Sequence, residues 1–141
     1  MSAKSASSAA EAGHRVSRQE ASVAIKAALR IAACWQLSDR DLGILLGGIS
    51  VASLRRWRSA LRDGGTPRAD INVDTLDRVS YLLGIYKSLH LLFPDAAQAD
   101  AWIHKPNDGL PFGGRSAMDV MLQGSMRDLM TVRRYLDAWR G

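Results

Sequence analysis

The sequence predicts an all-α protein, and three observations carry that expectation. No segment alternates apolar and polar residues with the period of two that a half-buried strand needs. Apolar residues recur three and four apart instead, most clearly at Leu76, Val79, Leu82, Leu83, Tyr86, Leu89 and Phe93. Serines stand just ahead of such runs at Ser17, Ser38, Ser50, Ser116 and Ser125. Acidic residues follow three positions on at Glu20, Asp41, Asp119 and Asp128. A serine there accepts from the free N–H groups of a helix's first turn, and an acid at the third position can return the bond.

Taken in order, residues 1–16 are rich in Ser and Ala, carry no apolar face and are expected to form a frayed tail. The first helix opens at Ser17 and presents Val23, Ala24, Ala27, Leu29, Ile31 and Trp35. The second opens at Ser38, carries Leu42, Leu45 and Leu46, and stops at Gly47-Gly48. The third runs from Ser50 to about Arg62 and stops at Gly64-Gly65-Thr66-Pro67. The fourth, Val73 to Phe93, is long and ends at Pro94, which cannot continue a helix. Ile85, Leu91 and Leu92 widen its apolar face beyond one stripe, as in a helix central to a core or shared with a partner subunit. The expected dimer contact is Leu82, Ile85, Tyr86 and Leu89. Residues 95–104 read as a short helix and 105–115 as a Pro/Gly/Asn loop. Ser116 to Leu122 is another short helix, Gly124 stops it, and the last helix runs from Ser125 to Trp139. No repeat with a period of 20–50 residues is visible.

Composition narrows the function classes. The 141 residues are 47% apolar and 23% charged, which excludes a disordered acidic chain and a membrane bundle. No apolar run reaches the roughly 18 residues of a membrane span, and none at the N-terminus suits a signal peptide. Cys34 is the single cysteine, so an intramolecular disulfide and a cysteine-based zinc site are excluded, and the expected compartment is the reducing cytoplasm. His14, His90 and His104 are dispersed without metal-ligand spacing. No Ser–His–Asp or Cys–His arrangement is discernible. The glycine-rich stretch Gly109 to Gly114 lacks the Lys-Ser/Thr of a phosphate loop and follows no strand. The expectation is a protein that is not an enzyme and has no catalytic residues, metal or cofactor.

Charge is more telling by halves. Residues 1–70 hold 11 basic and 6 acidic side chains, whereas residues 71–141 hold 8 of each, so the first half carries the whole net charge of +5. Arg55, Arg56, Arg58, Arg62 and Arg68 fall within 14 residues, opposed only by Asp63. Such a patch attracts polyanions, and a solvated helix face has the same composition.

The second helix, its glycine turn and the third helix have the spacing of a helix–turn–helix. On the third helix Val51, Leu54, Trp57 and Leu61 share one side, where Trp57 reads as a core anchor. Ala52, Arg56 and Ser59 point the other way, flanked by Ser53 and Arg55. Small residues near the helix start permit close approach to a major groove. Arginine can bridge O6 and N7 of guanine, and serine can pair with either partner. Arg58 and Arg62 lie nearer the packed face and suit phosphates. Ser50 caps the helix. The candidate DNA-binding residues are therefore Ser50, Ser53, Arg55, Arg56, Arg58 and Arg62.

The C-terminal part orders a tryptophan, Trp102, then Pro106-Asn107, a Gly113-Gly114-Arg115-Ser116 helix start and a final Arg133-Arg134-Tyr135-Leu136 helix. This order resembles the C-terminal domain of the MbcA/ParS/Xre antitoxin family. The stretch Arg78-Val79-Ser80-Tyr81-Leu82-Leu83-Gly84-Ile85-Tyr86-Lys87 resembles the connecting helix of its Xre-like members. Together the resemblance spans roughly residues 24–141. Ala117 departs from the pattern, since many relatives have proline there, and only Gly141 follows Trp139-Arg140.

The resemblance implies an Xre-like helix–turn–helix over 17–70, a connecting and dimerising helix over 71–94, and a toxin-binding antitoxin domain over 95–141. It implies an antitoxin of a RES-domain toxin that degrades NAD⁺. The C-terminal domain would cover the toxin's active-site entrance, and the helix–turn–helix would bind operator DNA to repress the shared operon, as a homodimer within a larger complex. The toxin-facing residues would be Asn107, Phe112, Gly113, Gly114, Arg115, Arg133, Arg134, Tyr135, Trp139 and Arg140. Arg133, Arg134 and Arg140 suit either the phosphate subsites of a dinucleotide site or acidic residues on the toxin. Tyr135 and Trp139 are residue types that anchor interfaces, and at their spacing with Leu136 they are more often plain core. The alternative is a stand-alone helix–turn–helix transcriptional regulator with no toxin partner.

Overall fold

The structure, a computed structural model, describes residues 16–141; the expected tail over 1–16 lies outside the described residues except for Val16. These residues form seven helices and no strand. They are α1 Arg18–Cys34, α2 Asp39–Leu45, α3 Val51–Arg62, α4 Val73–Leu92, α5 Ala96–Trp102, α6 Ala117–Met121 and α7 Met126–Arg140. The all-α expectation holds. All five serines are N-caps. Ser17, Ser116 and Ser125 complete reciprocal capping boxes with Glu20, Asp119 and Asp128. Ser38 and Ser50 accept from the backbone N–H of Asp41 and Ser53, each at 3.1 Å. Asn72 caps α4 by accepting from Thr75 N at 2.9 Å.

One apolar core runs from α1 to α7. Helix α4 is its axis and packs against α1 on one side and against α5 and α7 on the other. This arrangement corrects the expected dimer contact. Leu82, Ile85 and Leu89 are completely buried by the chain's own helices and reach no partner. The wide apolar face of α4 is the mark of a central helix with neighbours on both sides. Tyr86 is half-buried, with its ring 4.2 Å from that of His90 and its hydroxyl 3.9 Å from Cys34 Sγ.

Helices α2 and α3 form the helix–turn–helix. Gly47 and Gly48, at φ of +93° and +102°, make the turn, and Gly43 accepts from the backbone N–H of Gly48 and Ile49. The Ile49 carbonyl sits so close to Gly43 that a Cβ there would collide with it. Leu54 and Trp57 bury the inner side of α3, with Leu61 partly covered behind them.

Arg78 fixes this unit to the C-terminal helices. It is 8% exposed on α4. Its Nε donates to Asp74 Oδ2 at 2.9 Å, and its Nη1 donates to the carbonyls of Gly124 at 2.9 Å and Leu45 at 3.4 Å. Thr75 Oγ1 donates to the Leu46 carbonyl at 2.9 Å. The open carbonyls at the end of α2 are thus satisfied by α4, with a guanidinium at the negative end of the helix dipole.

Candidate functional site

The outer face of α3 carries most of the candidate DNA-binding residues. Ala52, Arg55, Arg56 and Arg62 are exposed. Ser50 Oγ donates to Ser53 Oγ at 3.0 Å, and Arg56 Nη2 donates to the same oxygen at 3.0 Å, so one polar line runs along this face. Arg62 is held by Ser59 at 3.0 Å. Arg55, Arg58, Ser59 and Arg62 border a shallow hollow beside Leu29 and Leu61.

Arg58 plays a different part from the one its sequence position suggests. Its Nε donates to Asp39 Oδ1 at 2.9 Å, with Nη2 2.8 Å from the same oxygen. Asp39 lies in the first turn of α2, where a carboxylate already favours the helix dipole. Arg58 therefore braces α3 against α2, and much of its charge is answered inside the chain.

The C-terminal candidates divide between buried and exposed. Phe112 is completely buried, which corrects its assignment as a surface contact. It meets Tyr135 edge-on at 4.9 Å and Trp102 at 6.0 Å. Trp139 closes this aromatic cluster and packs edge-on against Phe93 at 5.7 Å, yet it remains 48% exposed. The cluster anchors the loop after α5 to α7, because ring edges meeting ring faces favour one geometry. Asn107 shapes the loop from within. Its backbone pairs with Arg115 and Gly114, its Oδ1 accepts from Gly109 N at 3.1 Å, and its amide donates to Tyr135 Oη at 3.4 Å. Gly113, Gly114 and Arg115 are exposed on the far side, the two glycines at positive φ.

The arginines of α7 gather beside α4. Arg133 Nε is 3.6 Å from Asp137 Oδ2, and Arg140 Nη1 is 3.8 Å from Asp137 Oδ1 and 3.2 Å from Ser88 Oγ. The Arg133 guanidinium lies directly over Gly84, where a Cβ would occupy its place. Arg134 stays exposed. With Asp77, Tyr81, Met126 and Met130, Arg133 and Arg134 border a cleft of about 660 Å³ between α4 and α7.

Three positions that matter to this arrangement were not singled out from sequence. Gly43 and Gly84 lie inside helices, where glycine costs about 1 kcal/mol relative to alanine, so each signals a close approach. Arg78 interrupts the apolar face of α4 with Asp74 four residues before it, the spacing of a helical ion pair. Among the described residues no group of three His, Cys, Asp or Glu side chains could hold a metal ion, and no helix is long and apolar enough to cross a membrane.

The helix–turn–helix is thus fixed through the buried Arg78 to a C-terminal helical module that carries Arg133, Arg134, Arg140 and the half-exposed Trp139. The chain belongs to the Xre/MbcA/ParS antitoxin family. Residues 14–84 match the antitoxin Xre-like helix-turn-helix domain, and residues 88–141 match the antitoxin Xre/MbcA/ParS C-terminal toxin-binding domain. The uncharacterized protein y4oB of Sinorhizobium fredii (strain NBRC 101917 / NGR234) is 44% identical over 117 residues, which cover 83% of this chain and 84% of that protein.

Proposed function

We propose that this antitoxin neutralises a RES-type toxin that degrades NAD⁺, and that it represses its own operon. Residues 95–141 cover the toxin's active-site entrance, residues 17–70 bind operator DNA, and residues 71–94 connect the two. The observation that carries the reading is the surface of α7. Arg134 is open, Arg133 and Arg140 flank Asp137 beside it, and Trp139 is half-exposed on the same helix. A site built for an anionic dinucleotide is cationic or offers polar donors, and guanidinium groups can occupy phosphate subsites or pair with acidic residues at the rim. A tryptophan beside them supplies the kind of anchor that dominates interfaces. The Ser50–Ser53–Arg56 line on α3 supports the operator contact, with Arg55 and Arg62 suited to the backbone phosphates.

The test is to express the adjacent open reading frame alone and with this chain, and to follow growth and cellular NAD⁺. The expected result is that the neighbour halts growth and depletes NAD⁺, while this chain restores both and co-purifies with it. A neighbour that halts growth with NAD⁺ intact would refute the RES assignment. A harmless neighbour that does not bind would give the stand-alone regulator first place.

A further inference from the structure

Helices α4 and α7 run side by side in the same direction. Gly84 lies under the Arg133 guanidinium, and Ser88 Oγ donates to Asp137 Oδ1 at 3.4 Å. The same offset sets Asp77 level with Met126 and Tyr81 level with Met130. These residues wall the cleft of about 660 Å³ between the two helices, a volume within the roughly 300–1,000 Å³ of small-molecule sites. From Asp77 to Gly84 the helix rises roughly 10 Å, room for a base, a sugar and a phosphate in a row.

The chemistry of the cleft changes from one end to the other. Asp77 and Ser80 stand exposed at the first end, and Asp77 forms no ion pair among the described residues. In the middle Tyr81, Met126 and Met130 are half-buried. A ring and two thioethers make a soft, polarisable seat for a flat aromatic group. Arg133 and Arg134 line the far end. The one carboxylate there, Asp137, is shared by Arg133 at 3.6 Å and Arg140 at 3.8 Å, and both pairs are solvated and weak. Arg134 forms no ion pair among the described residues. The far end is therefore cationic, and Gly84 seats Arg133 against α4 before anything binds.

We propose that this cleft binds a nucleoside diphosphate whose base carries an amino group. The base lies against Tyr81 and Met130, and its amino group donates to the Asp77 carboxylate, as carboxylates accept from the amino groups of bases. The phosphates meet Arg133 and Arg134, whose planar guanidinium groups match phosphate oxygens. An acidic peptide or a nucleic-acid backbone is negative along its whole length and meets Asp77 unfavourably. A nucleoside diphosphate is anionic at one end only, as the cleft requires. The inference does not depend on the identity of the toxin.

The test is calorimetric titration of the full chain alone with ADP, UDP, adenosine and pyrophosphate. One ADP per chain is expected, with adenosine and pyrophosphate each at least about tenfold weaker. Arg134→Ala, at an exposed position, is expected to weaken ADP at least about tenfold and to leave adenosine nearly unchanged. Tyr81→Leu is expected to weaken both. Asp77→Ala is expected to remove the preference for ADP over UDP, which lacks the amino group. Arg127→Ala, on the same helix but outside the cleft, is expected to bind ADP as the wild type does. An absence of saturable ADP binding, pyrophosphate binding as tightly as ADP, or an Arg127→Ala variant weakened as much as Arg134→Ala would each overturn the proposal.

Discussion

Replacing Arg78 by methionine keeps most of the aliphatic stem and removes the guanidinium, which isolates its bonds from its packing. The bond to the Gly124 carbonyl at 2.9 Å is short and charge-assisted, and that to Leu45 at 3.4 Å is long and weak. A hydrogen bond to a charged group contributes about 1.5–3 kcal/mol, and a buried carbonyl left without its donor loses solvation it cannot regain. Asp74 adds little, because its side chain is 52% exposed and water can take the place of Arg78. The expected cost is therefore about 2–3 kcal/mol, well short of the roughly 3–5 kcal/mol seen when a fully buried ion pair is broken. At about 3 °C per kcal/mol for a chain of this length, melting should fall by about 6–9 °C. Urea denaturation of Arg78→Met and Asp74→Asn measures the cost, and thermal unfolding measures the shift in melting. Asp74→Asn should cost under about 0.5 kcal/mol. If Arg78→Met lost less than about 1 kcal/mol, or Asp74→Asn lost as much, the carbonyl bonds would not be what joins the two halves.

Other expectations follow from single contacts. Arg55→Ala with Arg56→Ala should weaken operator binding and make its salt dependence shallower, by up to about 1.8 in log–log slope if both meet phosphates. Arg58→Ala should leave that slope in place and lower stability by under about 1 kcal/mol, since the Arg58–Asp39 pair is partly solvated; binding titrations across salt concentrations separate the two. Gly43→Ala should destabilise by about 1–3 kcal/mol despite alanine's better helix propensity, because its Cβ meets the Ile49 carbonyl. A stabilised variant in denaturant titration would contradict this. Phe112→Ala should cost about 3–5 kcal/mol, whereas Trp139→Ala should mainly weaken toxin co-purification. Burial, then the Cys34 contact, pushes the Tyr86 phenol above its ordinary 10.0. The folded chain keeps a proton the unfolded chain releases, so stability present below pH 10 declines as pH rises beyond it. Tyr86→Phe should flatten that decline, and matching alkaline curves would speak against the assignment.

Legibility from sequence tracked how local the physics was. The serine caps and glycine stops act within one turn of chain, so the starts of α1, α2, α3, α6 and α7 could be read directly. The amphipathic side of α3 was equally plain, because Leu54 and Trp57 follow helical period. Partners distant in sequence were hidden. Nothing near position 58 says that Arg58 answers Asp39 across the turn, and nothing near position 78 says that Gly124 waits beside Arg78. The apolar width of α4 was visible, but not whether neighbouring helices of the same chain or a second chain would cover it. Phe112 was marked by its place in a glycine-rich loop, and the aromatic cluster that draws it inward is assembled from α5 and α7.

Gly84 has a consequence for how this surface can change over evolution. Because Arg133 rests in the space a side chain would fill, any residue other than glycine at position 84 evicts the guanidinium toward solvent. The charge displayed on one helix is thus governed from another, at a position that need never touch a binding partner. If α7 meets the toxin as proposed, a lineage could retune which toxins it accepts by a single replacement there, with every surface residue of α7 retained.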